Sequence, residues 1–277
     1  MRVIFFYFSV LFILGSVSQV NSQVPTPSKF NQPIIIFDFT YGLVAPMFDL
    51  GGSSIKEFYN FQSYGAGLGY GANFTTKVSA IIVQDWQFRP YLTFSYNRFL
   101  GSSGKAYNLK NYVPPGWPKI DTTSPYYTLK DTLGTSSISI HCPYISFGFE
   151  AALFTDKERT SYVNFGLDFD VSILFGKVYD RPLGKNETHN NIVSNTRLGL
   201  GMNFGVTYRV LNEIGLTAGT RLGFVNLFGK ETKQSTVDGD IFLNDKSDLI
   251  NSRLNQNRAI GYLGLYAGAS FMLGVNK

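Results

Sequence analysis

The sequence predicts an all-β fold: an antiparallel sheet closed into a transmembrane barrel of eight strands with long extracellular loops. Three observations lead there. Apolar residues recur at every second position over stretches of about ten residues, which is the period of a strand with two different faces. No segment beyond the N-terminus reaches the ~18 apolar residues that a spanning helix needs. The face opposite the apolar one is rich in glycine, which gives too little bulk to cover a sheet facing water but suits a crowded narrow interior.

The composition agrees. The chain of 277 residues carries 25 Phe, 17 Tyr and 28 Gly, and only 16% of its residues are charged, against a usual quarter. Mean hydropathy is near zero, which excludes a bundle of membrane helices. The net charge of +5 is spread over loop lysines and forms no nucleic-acid-binding stripe. Cys142 is the only cysteine. It rules out an internal disulfide, and beside His141 it supplies too few ligands for a metal. No cofactor motif is present.

The N-terminus reads as a cleaved signal peptide over 1–22. Met1-Arg2 is a basic start, 3–14 is an apolar run, and small and polar residues lead to a cleavage site at Val20-Asn21-Ser22. An extended leader follows over 23–33, and the barrel domain occupies 34–277. In a membrane without a helix, only closure satisfies every backbone N–H and C=O.

Eight segments carry the alternation. Phe37, Phe39 and Tyr41 oppose Asp38 and Thr40. Tyr64, Ala66, Leu68, Tyr70 and Phe74 oppose a run of glycines, and Leu92, Phe94 and Tyr96 oppose Thr93 and Ser95. Ile145, Phe147 and Phe149 oppose Gly148 and Glu150. The clearest case sets Val163, Phe165, Leu167, Phe169 and Val171 against Asn164, Gly166, Asp168 and Asp170. Leu198 to Tyr208, Leu216 to Phe224 and Leu263 to Leu273 complete the set. Short connections are expected at 75–88, 155–161 and 210–213, and long ones at 46–60, 101–143, 177–195 and 229–257. Short turns on one side and long loops on the other are expected of outer-membrane barrels. Residues 78–83 form a further strand piece in the alternative count of ten strands.

On these strand patterns the chain resembles the small eight-stranded bacterial outer-membrane β-barrel proteins of the kind common in Bacteroidetes-type bacteria. The resemblance covers nearly the whole mature chain. Tyr266-x-Gly268-x-x-Phe271-x-Leu273 looks like the C-terminal β-signal read by the barrel-assembly machinery, although Gly274-Val275-Asn276-Lys277 replaces the usual aromatic terminus. The resemblance implies residence in the bacterial outer membrane, with its lipids and the assembly machinery as partners.

Charges on the inner face are the most informative residues, because an isolated buried charge is costly and should be paired. Alternation places Asp38, Glu150, Asp168, Asp170 and Arg221 near mid-height, Arg209 near the periplasmic end and Arg197 near the outer rim. Arg221 is expected to bridge Asp168, Asp170 or Glu150. The lumen is then plugged by its own side chains, and the role is structural or one of surface recognition. A narrow porin-like channel is the alternative. Tyr112, Trp117, Tyr126 and Tyr127 are candidate contacts for an extracellular ligand or protein. The chain is read as a non-enzyme. A lipid-modifying enzyme would use Ser139 and His141, two apart on one strand face, with Glu150 too distant to orient the histidine.

Overall fold

The computed structural model describes residues 33–52, 63–107, 131–228 and 259–274. The expected signal peptide, most of the leader and the four loop aromatics Tyr112, Trp117, Tyr126 and Tyr127 lie outside these residues.

Nine strands form one antiparallel sheet: β1 (Ile35–Phe48), β2 (Gly67–Val78), β3 (Ile81–Val83), β4 (Trp86–Tyr107), β5 (Asp131–Phe154), β6 (Ser161–Pro182), β7 (Thr188–Arg209), β8 (Ile214–Phe228) and β9 (Ile260–Leu273). Neighbours in sequence pair in turn from β4 to β9. The first strand pairs with the last from Ile35↔Leu273 to Phe48↔Ile260. Pairing of β1 with β2 and of β2 with β4 then closes the ring. The ring has eight strands. β3 is a three-residue piece folded back on the start of β4, from Ile81↔Phe88 to Val83↔Trp86. The extra strand piece at 78–83 therefore exists but adds no stave, and the ten-stranded alternative is set aside.

The alternating residues sort as lipid requires. Phe147, Phe149, Leu167 and Phe204 point outward and are all more than half exposed. The inward set is polar or small at mid-height and gathers into apolar clusters toward both ends. An apolar exterior without an apolar partner is stable in hydrocarbon, so the closed ring is a membrane barrel.

Three strand expectations are corrected. Tyr64 and Ala66 do not share the outward face of Leu68 and Tyr70 but are buried inside. β2 starts only at Gly67, and a register shift between Gly67 and Gly69 moves the chain across the wall. The connection expected at 177–195 shrinks to 183–187, because β6 and β7 stay paired as far as Asp180↔Thr188. The connection expected at 101–143 likewise shrinks to 108–130, because β4 and β5 pair as far as Tyr107↔Asp131. Polar residues in these outer segments weaken the period-two signal, yet backbone pairing needs no apolar face once water surrounds it.

These extensions make the barrel asymmetric. β4 to β7 run 22 to 24 residues, about twice the 9–11 that a tilted spanning strand needs. β1, β2, β8 and β9 run 12 to 15. A four-stranded sheet therefore stands beyond the ring at the end of the longer connections, here called the loop end. The opposite, turn end carries the connections 155–160 and 210–213.

Candidate functional site

The lumen is the first candidate, and it is built in layers. Nearest the turn end is a small apolar cluster of Ile36, Ala152, Phe154, Tyr162 and Met272. Above it lies a charge layer. Lys77 on β2 contacts Asp38 on β1 at 2.9 Å and Glu150 on β5 at 2.8 Å. Arg89 on β4 reaches Glu150 at 3.1 Å and lies over the Tyr162 ring at 4.5 Å. Ser270 donates to Asp38 at 2.6 Å and Asn164 donates to Glu150 at 3.1 Å. Two cations face two carboxylates, so the layer is neutral, and its members stitch six strands across the lumen.

A second charge layer follows toward the loop end. The Arg221 guanidinium on β8 donates to Asp168 Oδ1 at 2.5 Å and Oδ2 at 2.6 Å, to Asp170 Oδ1 at 2.7 Å and to the Tyr262 hydroxyl at 3.0 Å. The fork geometry of arginine suits such bidentate contact. The Tyr91 hydroxyl donates to Asp168 Oδ2 at 2.5 Å and accepts from Asn203 at 2.7 Å. Glycine makes the room. Gly148 and Gly201 stand directly across from Asp168 on the neighbouring strands, and a Cβ on Gly201 would overlap the guanidinium.

Beside and between the two layers lies a cavity of about 90 Å³. Thr40, Asn73, Thr75, Thr93 and Thr217 line it with hydroxyls and an amide, and Lys77, Glu150 and Arg221 border it. A water-filled polar site is consistent with this lining. Beyond the Arg221 layer the interior turns apolar. Val44, Phe99, Ile140, Leu174, Val178 and Tyr262 belong to one buried cluster that fills the loop end.

Arg221 is thus brought together with Asp168 and Asp170, but not with Glu150, which Lys77 and Arg89 hold instead. Arg209 sits at the turn end, donating to the Asn212 carbonyl at 2.7 Å. Arg197 is fully buried, on β7 above the Asp170 layer and paired with Ser172. Lys77 was missed because 75–88 reads as a connection, and Arg89 because it lies between that connection and Leu92, the first residue read in the next strand. Extending the period of two from Asn73 and Thr75 to Lys77, and backward from Tyr91 to Arg89, reveals both.

The second candidate is on the outside. Ser139 and His141 share the outward face of β5, and their Oγ and Nε2 atoms are 3.1 Å apart. The other ring nitrogen of His141 is hydrogen-bonded to Tyr96 on β4. Arg98, also on β4, donates from Nε to Ser139 Oγ at 2.9 Å and from Nη1 to the Tyr70 hydroxyl at 3.0 Å. Glu150 faces the lumen and takes no part. Of the β-signal residues, Phe271 and Leu273 face outward and Tyr266 is buried in the lumen, where its hydroxyl donates to Asn97 at 3.2 Å. Gly268 packs so closely on Phe39 that a Cβ would overlap its carbonyl oxygen.

No protein-family model matches the chain, and no curated protein matches it. Solved barrels do. Neisserial surface protein A is 14% identical with a TM-score of 0.37, over 86% of this chain and 97% of that one. Ail, the attachment invasion locus protein of Yersinia pestis, is 11% identical with a TM-score of 0.33, over 87% and 99%. The outer membrane protease OmpT of Escherichia coli is 7% identical with a TM-score of 0.45, over 92% and 99%. At such values the likeness assigns no activity.

Proposed function

We propose that the chain is a non-conducting barrel of the bacterial outer membrane, exported through a cleaved signal peptide, that holds a recognition platform outside the cell. The observation that carries this reading is the length of β4 to β7. Strands twice as long as the membrane requires, on a barrel filled by its own side chains, serve a rigid projecting sheet rather than a pore. Long connections at the tip of such a sheet are where binding surfaces are commonly built. The candidate contact residues Tyr112, Trp117, Tyr126 and Tyr127 belong to the sequence 108–130 that joins β4 to β5.

Two measurements test the reading. A membrane-impermeant amine reagent applied to intact cells should label Lys185, in the 183–187 connection, and spare Lys157 in the 155–160 turn. The reverse pattern would invert the orientation and remove the platform from the cell surface. Planar-bilayer recording should show no discrete conductance, and a stable unitary conductance would replace the plugged barrel with the porin-like channel.

The reading is non-enzymatic. Ser139 is only 6% exposed, and its oxygen already accepts a hydrogen bond from Arg98. This disfavours the attack on an ester that the Ser139–His141 pair would otherwise suggest. Lipid profiles of cells with and without the protein should be identical by mass spectrometry; lysophospholipid or deacylated lipid A appearing with the protein would restore the enzyme.

A further inference from the structure

The outward polar patch around Arg98 has no role in closing the barrel or filling the lumen. Its height is the informative feature. On β5 the outward residues from Leu153 to Pro143 are apolar, and ten residue steps at the rise and tilt of a barrel strand span about 25 Å. His141 and Ser139 come next. On β6 the apolar series from Val163 ends at Phe175, and Lys177 follows. On β4 the series runs to Tyr96, and Arg98 follows with Leu100 beyond it. These three transitions are neighbours in the sheet, since Arg98 pairs with His141 and Ser139 pairs with Lys177. Arg98 and Lys177 are therefore outward cations at the edge of the apolar belt, two strands apart with His141 and Ser139 of β5 between them, at the depth of lipid headgroups.

Their chemistry suits an anion. Arg98 is fixed by the Ser139 and Tyr70 hydroxyls, with its guanidinium 5.9 Å from the centre of the Tyr70 ring. Its Nη2 group has no hydrogen-bond partner among the described residues, and Lys177 makes no ion pair among them. No described carboxylate shares the outward face of β4 to β6 at this level. A prepared arginine, an exposed ammonium, a histidine and hydroxyls, all continuous with an apolar wall, match a phosphate attached to acyl chains. Two cations favour a phosphomonoester, with its charge near −2, over a phosphodiester.

We infer that Arg98, Lys177 and their neighbours Ser139 and His141 form a binding site on the barrel exterior for the phosphomonoester headgroup of a membrane lipid. The acyl chains would lie along Phe175 and Ile173. The site is independent of what the projecting sheet recognises.

Phosphatidic acid is a suitable probe, titrated into the folded full chain in dodecyl maltoside and counted by native mass spectrometry. One phosphatidic acid should be retained, with diacylglycerol of the same chains and phosphatidylglycerol held far more weakly. At roughly 1 kcal/mol per basic residue at a membrane surface, Lys177→Gln should weaken retention about fivefold and Arg98→Gln with Lys177→Gln about thirtyfold. Lys177 is exposed, so the single variant tests the site even if the double variant misfolds. Equal retention of diacylglycerol, an unchanged Lys177→Gln titration, displacement by inorganic phosphate at matched concentration, or release of free fatty acid would each overturn the assignment.

Discussion

Replacing Arg221 by Met gives the sharpest test of how the lumen is held. The substitution keeps most of the volume and removes the cation that both Asp168 and Asp170 contact within 2.7 Å. Both carboxylates are almost wholly buried. The remaining donor to Asp168 is Tyr91, so two negative charges are left facing each other in the wall. Removing one partner of a buried pair costs about 3–5 kcal/mol. The polar cavity beside the layer can hydrate a carboxylate, so the lower end, about 3 kcal/mol, is expected here. Urea unfolding in detergent micelles, followed by the gel shift between boiled and unboiled protein, measures it. Arg221→Met combined with Asp168→Asn and Asp170→Asn removes all three charges together and should recover most of the loss, because neutral replacement of a buried ion cluster is often tolerated. A loss below about 1 kcal/mol for Arg221→Met, or a triple variant as unstable as the single one, would refute the view that this layer is held by charge compensation.

Gly268→Ala should destabilise the barrel by about 1–3 kcal/mol, as overpacking does, even when it folds in micelles without any assembly machinery; unaltered micelle stability would leave Gly268 only a signalling role. Arg89→Met should leave Glu150 with Lys77 as its one cation beside the Asn164 amide, and cost less than Arg221→Met in the same urea titration; an equal or larger loss would contradict the two-cation arrangement. Asp156 in the 155–160 turn offers a pH test. Burial raises its pKa, but hydrogen bonds from Thr160 and Ser161 outweigh that and hold the carboxyl below its usual value. A depressed folded pKa gives stability that is present above the unfolded value and lost as pH falls through the folded one. Wild type should therefore lose slightly more stability than Asp156→Asn on acidification below about pH 4, by under about 1 kcal/mol for a half-buried group at the water-facing end of the barrel. Parallel curves would remove the contribution.

Much of the barrel was legible because lipid imposes a simple rule on each residue separately. Phe165, Leu167 and Phe169 face hydrocarbon whatever their neighbours are, so their alternation with Asn164, Gly166 and Asp168 is visible without any structure. The inward position of the acidic residues and of Arg221 followed from the same parity. Partner choice did not. Arg221 was within reach of Glu150 by sequence logic, yet register sets Asp168 across from Gly201 and Asn203 across from Arg221, and Glu150 belongs to a different layer. Lys77 and Arg89 were hidden because strand ends near water lose the apolar half of the pattern, as did the outer halves of β6 and β7.

By itself, the sequence determined that the chain is a closed antiparallel barrel with an apolar outside, because burial in lipid and period-two alternation are local properties. Only the tertiary structure decided between eight staves and ten, extended four of them beyond the ring, and set Arg98, His141, Ser139 and Lys177 on neighbouring strands of the exterior. Those features depend on which strands pair and in what register, and pairing couples residues distant in the chain through backbone hydrogen bonds that no single segment encodes.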